Sequence, residues 1–361
     1  MKAPPADDRQ DVREAGFLGQ GTGRDGRYGK WQMGWREIKE VRSAPWALSA
    51  LIWVYDHLGK RAYRLCIFVI VVCFWATHPM HRKYSAVYIR HYRAYVSRLE
   101  EEGKLPPDAY RGRVTTFRNL LTFATGLMTR ALAWSGRFTI NDIRSADHAH
   151  ERMLKAAEHG AFVIGSHAGN MEMLRAMNDQ LTKKKVNVLK MSSVYKGFAC
   201  YLKSLNSGYG LNVIETDDIS PDTDDESLRE KALARSIATG IELEEKVRNG
   251  EWVVMLGDRV IDRNTRYVEA EFLGEKARFP DGPWIMASML DVPCYVMHAV
   301  HDPSTGSIVL YFREIGKVVL PRGKKREEAL RRYVADYAAE LERILVRSPL
   351  DWGNFYDFWN V

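Results

Sequence analysis

From Ala146 onward the chain alternates between two hydrophobic periods. "SADHAHERMLKAAEHG" spaces its apolar residues as a helix and stops at Gly160, whereas "AFVIGS" is an unbroken apolar run of strand length. "NMEMLRAMNDQLTKKK" returns to helical spacing and "VNVLKMS" to a strand. A long helix from about Ser227 to Asn249, stopped by Gly250, precedes the strand "WVVMLG". "VPCYVMHAVH" and "SIVLYFREI" predict two more strands, and "REEALRRYVADYAAELERILVRSP" predicts a closing amphipathic helix. Strands alternating with helices place residues 146–361 in the α/β class, with a mixed, mostly parallel central sheet flanked by helices.

Residues 30–145 read as helical. Two apolar stretches, "WALSALIWVY" (Trp46 to Tyr55) and "LCIFVIVVCFWA" (Leu65 to Ala76), are joined by "DHLGKRAYR". The second is short of the roughly 20 residues that span a bilayer, which leaves an interfacial helix or a buried one. Lys60, Arg61 and Arg64 before it, His81, Arg82 and Lys83 after it, and Trp46, Trp53 and Trp75 suit a helical hairpin lying on a membrane surface. From Tyr84 to Arg137 the pattern stays helical and basic. Arg and Tyr interleave from Tyr88 to Arg98, which suits anionic lipid or phosphate and also base stacking, although no nucleic-acid motif accompanies them. Pro106 and Pro107 divide this region into two helices.

Composition narrows the classes. A chain of 361 residues, 46% hydrophobic, can bury one large core, which excludes a disordered or fibrous protein. Residues 1–29 are polar, charged and glycine-rich; they predict a disordered tail and lack the apolar core of a secretory signal. "GFLGQGTGRDG" has no strand before it and no helix opening after it, so it does not read as a phosphate loop. The formal charge of +7 favours phosphates, anionic headgroups or an acidic carrier protein, or serves solubility alone. Cys66, Cys73, Cys200 and Cys294 show no metal-binding spacing and fit a reducing compartment.

The candidate chemistry lies in "VIGSHAGNMEML". His167 falls in the loop after a predicted strand, where open α/β sheets collect reactive groups. With Asn170 as helix N-cap, Glu172 sits in the first turn, where the helix dipole favours a carboxylate. A carboxylate on one imidazole nitrogen fixes the tautomer and leaves the other nitrogen to accept a proton, as in a general base. The same histidine could instead serve only as a helix-capping turn. Ser166 lacks the glycine two residues earlier that a nucleophile elbow requires; Ile164 stands there. "HAGNME" is not a metal-binding H-E-x-x-H, and no metal is expected.

"SHAGNME" resembles the H-x-G-N-x-E form of the HX4(D/E) motif of the lysophospholipid acyltransferase superfamily, in particular its lipid A late (lauroyl/myristoyl) acyltransferase-like branch. "GEWVVMLGDR" resembles a later block of that family, a strand ending in an acidic residue and arginine. "FLGEKARFPDGPWIMASMLDVPCYV" resembles the block after it, and "PLDWGNFYDFW" the tryptophan-rich end of the branch. With the apolar, basic segment Trp46 to Lys83, these blocks span roughly residues 30 to 361 in the family's order.

The resemblance implies transfer of an acyl chain from a thioester of acyl carrier protein or coenzyme A to a hydroxyl or amine of a lipid or glycolipid. No covalent acyl-enzyme and no cofactor are implied, and the setting would be the cytoplasmic face of a bacterial inner membrane. By position, His167 would be the base and Glu172 its orienting partner. Gly169 would admit substrate close to the backbone, and Asn170 would shape the turn. Asp258 and Arg259 would serve substrate, Arg259 by holding a phosphate or the oxyanion or, alternatively, by a structural ion pair with Asp258. Phe279, Pro280, Gly282 and Pro283 would line the acceptor side. Ala168 and Met171 replace the aromatic residue and tryptophan that many relatives carry, so acyl length and acceptor preference do not transfer. "ETDDISPDTDDES" lacks EF-hand spacing and reads as a solvated loop. Two further readings stay open: a lipid or thioester hydrolase using water or Ser166 in the same site, and a non-catalytic membrane or nucleic-acid binder working through the Arg/Tyr helices.

Overall fold

The computed structural model describes residues 45–134, 140–171, 173, 178–191, 211–216, 226–260, 265–303 and 305–360. The predicted tail, Glu172, Cys200, residues 174–177 of the helix predicted after Asn170 and residues 217–225 of the acidic loop lie outside them. The described residues all fall within one compact unit, Met33–Val361.

A seven-stranded sheet organises the molecule. Its strands are β1 (Ile143–Ser145), β2 (Ala161–Gly165), β3 (Val186–Met191), β4 (Leu211–Thr216), β5 (Trp252–Leu256), β8 (Pro293–His301) and β9 (Ile308–Lys317), in the order β1-β9-β8-β2-β5-β3-β4. Every neighbouring pair is parallel except β8 and β9, which the short connection 302–307 folds back as an antiparallel hairpin. Between β5 and β8 lies a separate two-stranded hairpin, β6 (Tyr267–Phe272) and β7 (Glu275–Pro280). Its strict alternation of exposed and buried residues in β6 is the period-2 signature of a half-buried strand. β2 is buried at every position, in keeping with an interior strand covered on both faces.

Helices α4 (Ala149–Ala156), α5 (Glu226–Arg248), α6 (Gly282–Leu290) and α7 (Lys324–Arg347) accompany the sheet, and α1 (Pro45–Thr77), α2 (Pro79–Glu101) and α3 (Thr116–Trp134) precede it. One core cluster joins Phe162, Ile164, Phe272, Phe279, Trp284, Tyr337 and Trp352 with Tyr88, Ile89 and Tyr92 of α2. A second, containing Met153, Val163, Trp252, Tyr295 and Phe312, includes the side chains that alternate with these along β2. Tyr63, Ile67 and Val71 of α1 form a third with Leu120 of α3 and Phe355.

Gly59 breaks α1 within the polar linker between its two apolar stretches, at φ 80°, ψ 176°, a conformation that suits glycine alone. Tyr63, Ile67 and Val71 are buried, while Leu65, Phe68, Val69, Ile70 and Val72 are exposed, so the second arm is apolar on both its covered and its open face. Among the described residues no single helix is long and apolar enough to cross a membrane. α1 and α2 meet that test only together, as a pair bent by 95°.

Candidate active site

Parallel pairing of β2 with β5 and β8 brings three strand ends to one edge of the sheet. His167 follows β2, Asp258 follows β5 two residues after Leu256, and β8 runs past both to His301. The loop from Ser166 to Asn170 is fastened at several points. Gly257 N–H donates to Gly165 O (3.0 Å), Gly169 N–H to Asp351 O (3.0 Å), and Asn170 N–H to Ala299 O (2.8 Å). Gly169 has φ +82°, and a Cβ there would collide with the Ala299 carbonyl. The close approach that requires this glycine is therefore to β8 itself, rather than to a substrate.

The His167 ring is engaged by Asp258. His167 Nδ1 donates to Asp258 Oδ1 (2.8 Å) and the His167 backbone N–H to Oδ2 (3.0 Å), which also accepts from the Trp352 indole N–H (3.0 Å). The Asp258 side chain is wholly buried and that of His167 is 24% exposed, so the carboxylate lies behind and the imidazole in front. Burial alone would raise the Asp258 carboxyl, but His167, Arg259 and the Trp352 N–H hold it well below the ordinary carboxylate range. An ionised carboxylate accepts only, which puts the neutral ring's proton on Nδ1 and gives proton acceptance to Nε2.

The predicted orienting partner, Glu172, lies outside the described residues; among the described residues Asp258 holds the His167 Nδ1. Asp258 thus bonds a protein group where a substrate contact was expected. Arg259 is also turned inward. Its side chain is 4% exposed, donates to Gly353 O (2.8 Å), stands over the Tyr356 ring at 5.5 Å and approaches Asp258 at 4.0 Å. Among the two readings offered by the sequence, this geometry is that of the buried ion pair. Asn170 is buried at the loop's end.

Phe279 and Pro280 end β7, and Gly282 begins α6. Phe279 is fully buried, edge-on to Phe272, Tyr337 and Phe358, so it anchors the β6–β7 hairpin in the core rather than lining an open acceptor surface. Pro280 pairs with Tyr267 in the hairpin, and Gly282 and Pro283 begin α6. Proline in the first helical turn is expected there, since its missing N–H would have no partner in any case.

Ser166 is enclosed. Its Oγ accepts from Ala168 N–H (3.1 Å) and bonds His298 Nδ1 (2.9 Å), with both side chains buried. Burial brings the His298 imidazole down to about 4, so the ring stays neutral. This ties the end of β2 to β8 and offers Ser166 no exposed face for nucleophilic attack.

The support of Asp258 comes from regions that sequence reasoning had treated separately. Tyr88 of α2 donates to Pro349 O (2.7 Å), and Asn119 of α3 donates to Leu350 O (3.0 Å) and Trp352 O (3.1 Å) while accepting from Ser85 (2.9 Å). The signal available in the sequence was polar residues within helical apolar faces. The buried positions of Tyr88 and Tyr92 also remove them as stacking surfaces for bases. Among the described residues, no group of three or more His, Cys, Asp or Glu side chains is arranged to hold a metal ion, and Cys66, Cys73 and Cys294 are free thiols. No protein-family model matches the chain, and no curated protein matches it.

Proposed function

We propose that the protein is a membrane-surface acyltransferase that moves an acyl chain from a thioester, of acyl carrier protein or coenzyme A, to a hydroxyl or amine of a lipid or glycolipid. The observation that carries this reading is the aligned series Trp352, Asp258 and His167, ending in a partly exposed imidazole at the carboxyl edge of a parallel sheet. His167 Nε2 takes the acceptor's proton as its oxygen or nitrogen attacks the thioester carbonyl, and Asp258 steadies the resulting imidazolium. The enclosure of Ser166 favours direct transfer over a serine-bound intermediate. The four sequence blocks resembling the lysophospholipid acyltransferase superfamily support the substrate class, and the exposed apolar face of α1 beside basic residues supports work at the cytoplasmic surface of a bacterial inner membrane.

Mass spectrometry of membrane lipids from cells with the active protein, with its His167→Ala variant and without it tests the reading. A lipid species bearing an added acyl chain is expected only with the active protein. Equal abundance of that species with His167→Ala, at equal protein level, would refute the proposal.

A further inference from the structure

A second histidine at the same edge is built as His167 is. His301, the last residue of β8, donates through Nδ1 to Asp351 Oδ1 (2.7 Å) and through its backbone N–H to Asp351 Oδ2 (2.8 Å). His167 addresses Asp258 by the same two donors at 2.8 and 3.0 Å. In both pairs the carboxylate is behind and the imidazole in front: side-chain exposure is 22% and 5% for His301 and Asp351, against 24% and 0% for His167 and Asp258. Ser348 Oγ adds a bond to His301 O (2.8 Å), fixing the backbone from which the ring projects.

The two pairs are also joined. Asp351 holds His301 with its side chain and the Gly169 N–H of the His167 loop with its carbonyl, while the next residue, Trp352, donates to Asp258. Ala299, two residues before His301, is bridged to Gly169, two residues after His167. These bonds hold both imidazoles on one frame at the same edge of the sheet. A merely structural anchor for β8 would need only one of these bonds and no exposed imidazole. With Nδ1 committed to a carboxylate, proton exchange by either ring falls to Nε2.

We infer that His301 is the acid of the transfer reaction, an inference that rests on the acyltransferase reading. In the step assigned to it, His167 removes the proton of the acceptor O–H or N–H and the acceptor atom bonds the thioester carbonyl carbon. The C–S bond then breaks, its electron pair goes to sulfur, and His301, as imidazolium, gives its Nε2 proton to that sulfur. The products are the acylated acceptor and a thiol. His167 ends protonated and His301 neutral, and exchange of one proton with water restores both.

Leaving groups of different basicity test this. The full chain, reconstituted with vesicles made from the lipid extract of its source cells, is supplied either with dodecanoyl-CoA or with the 4-nitrophenyl thioester of dodecanoic acid, whose thiolate departs without protonation. His301→Gln is expected to slow transfer from dodecanoyl-CoA by roughly 10²-fold while leaving the aryl thioester within about threefold of the parent protein. Asp351→Asn, which keeps the side-chain shape, is expected to show the same selective loss, and thermal melting verifies that each variant is folded. Equal rates for variant and parent with both donors, or an equal loss with both, would overturn the inference. It would leave the acyltransferase reading standing as long as His167→Ala abolishes transfer from both. Absence of transfer by the parent protein from either donor would refute both.

Discussion

A carboxylate with no exposure to water stays ionised only if its oxygens are saturated with donors, and Asp258 meets that condition with the His167 ring and backbone N–H and the Trp352 indole. Converting it to an amide presents an N–H group to donors and removes the charge that steadies the imidazolium. Asp258→Asn is therefore expected to reduce kcat by roughly 10² or more with little change in KM, and steady-state kinetics check it. Glu172→Gln, measured alongside, tells which carboxylate serves His167. Equal or greater loss from Glu172→Gln would assign the role to the residue of the sequence motif.

His298 sets a different expectation. Its folded value of about 4 lies below the ordinary histidine value of about 6.5, so on acidification the unfolded chain binds a proton that the folded one refuses. Its contribution is complete above pH 6.5 and is lost as pH falls toward 4. Urea titrations across that window should show stability declining by on the order of 3 kcal/mol from this group, a decline that His298→Gln flattens. At this scale the sequence was informative about His167, because a histidine following an apolar strand and preceding a helix has a position that local pattern defines. The partnership with Asp258 was not legible. It depends on β5 lying beside β2, and 91 residues of chain separate the two side chains.

Among the elements, the segment from Pro349 to Trp352 organises the site. α2 and α3 hold its carbonyls through Tyr88 and Asn119, and it presents Asp351 to His301 and Trp352 to Asp258. Asn119 is fully buried, so Asn119→Ala strands the Leu350 carbonyl and the Ser85 hydroxyl and leaves Trp352 O with the Asn354 N–H alone. A stability loss of about 1–3 kcal/mol is expected from denaturant melts, with lower turnover in the folded fraction. Trp352→Phe should keep most of the aromatic packing against Tyr88, Phe272 and Phe358 and lose the N–H to Asp258. Turnover is then expected to fall by more than the melting temperature would suggest. The alternating periods foretold most strands and helices correctly, since each reflects which faces are covered. They did not foretell edge strand β4, the β6–β7 hairpin, which carries the glycine turn Leu273–Gly274 between strands that the sequence reading had taken as a motif block, or the three-residue β1, too short to show a period.

For the molecule as a whole, the helices before the sheet have two faces with different occupants. α2 enters the main core through Tyr88, Ile89 and Tyr92, whereas α1 leaves Leu65, Phe68, Val69, Ile70 and Val72 uncovered next to Arg61, Arg64 and Arg82. Charged substitutions on the open face, such as Val69→Glu with Ile70→Glu, should leave the melting temperature within a few degrees and reduce binding to anionic vesicles by roughly tenfold or more, as read by cosedimentation. Unchanged binding would assign the face another occupant. Apolar runs flanked by cations were plain in the sequence. Which residues of those runs are covered was not, because Leu120 and Phe355, which cover one side, come from distant parts of the chain.

The placement of Asp351 and Trp352 has a consequence for biosynthesis. Ribosomes deliver residues in order, so both histidines leave the exit tunnel well before the residues that orient them, while Ser85 and Asn119 wait on finished helices for carbonyls not yet made. Under the proposed function, a nascent chain would therefore gain activity only once synthesis has passed Trp352. Chains arrested short of that residue are expected to be unstable and, on the proposed function, inert.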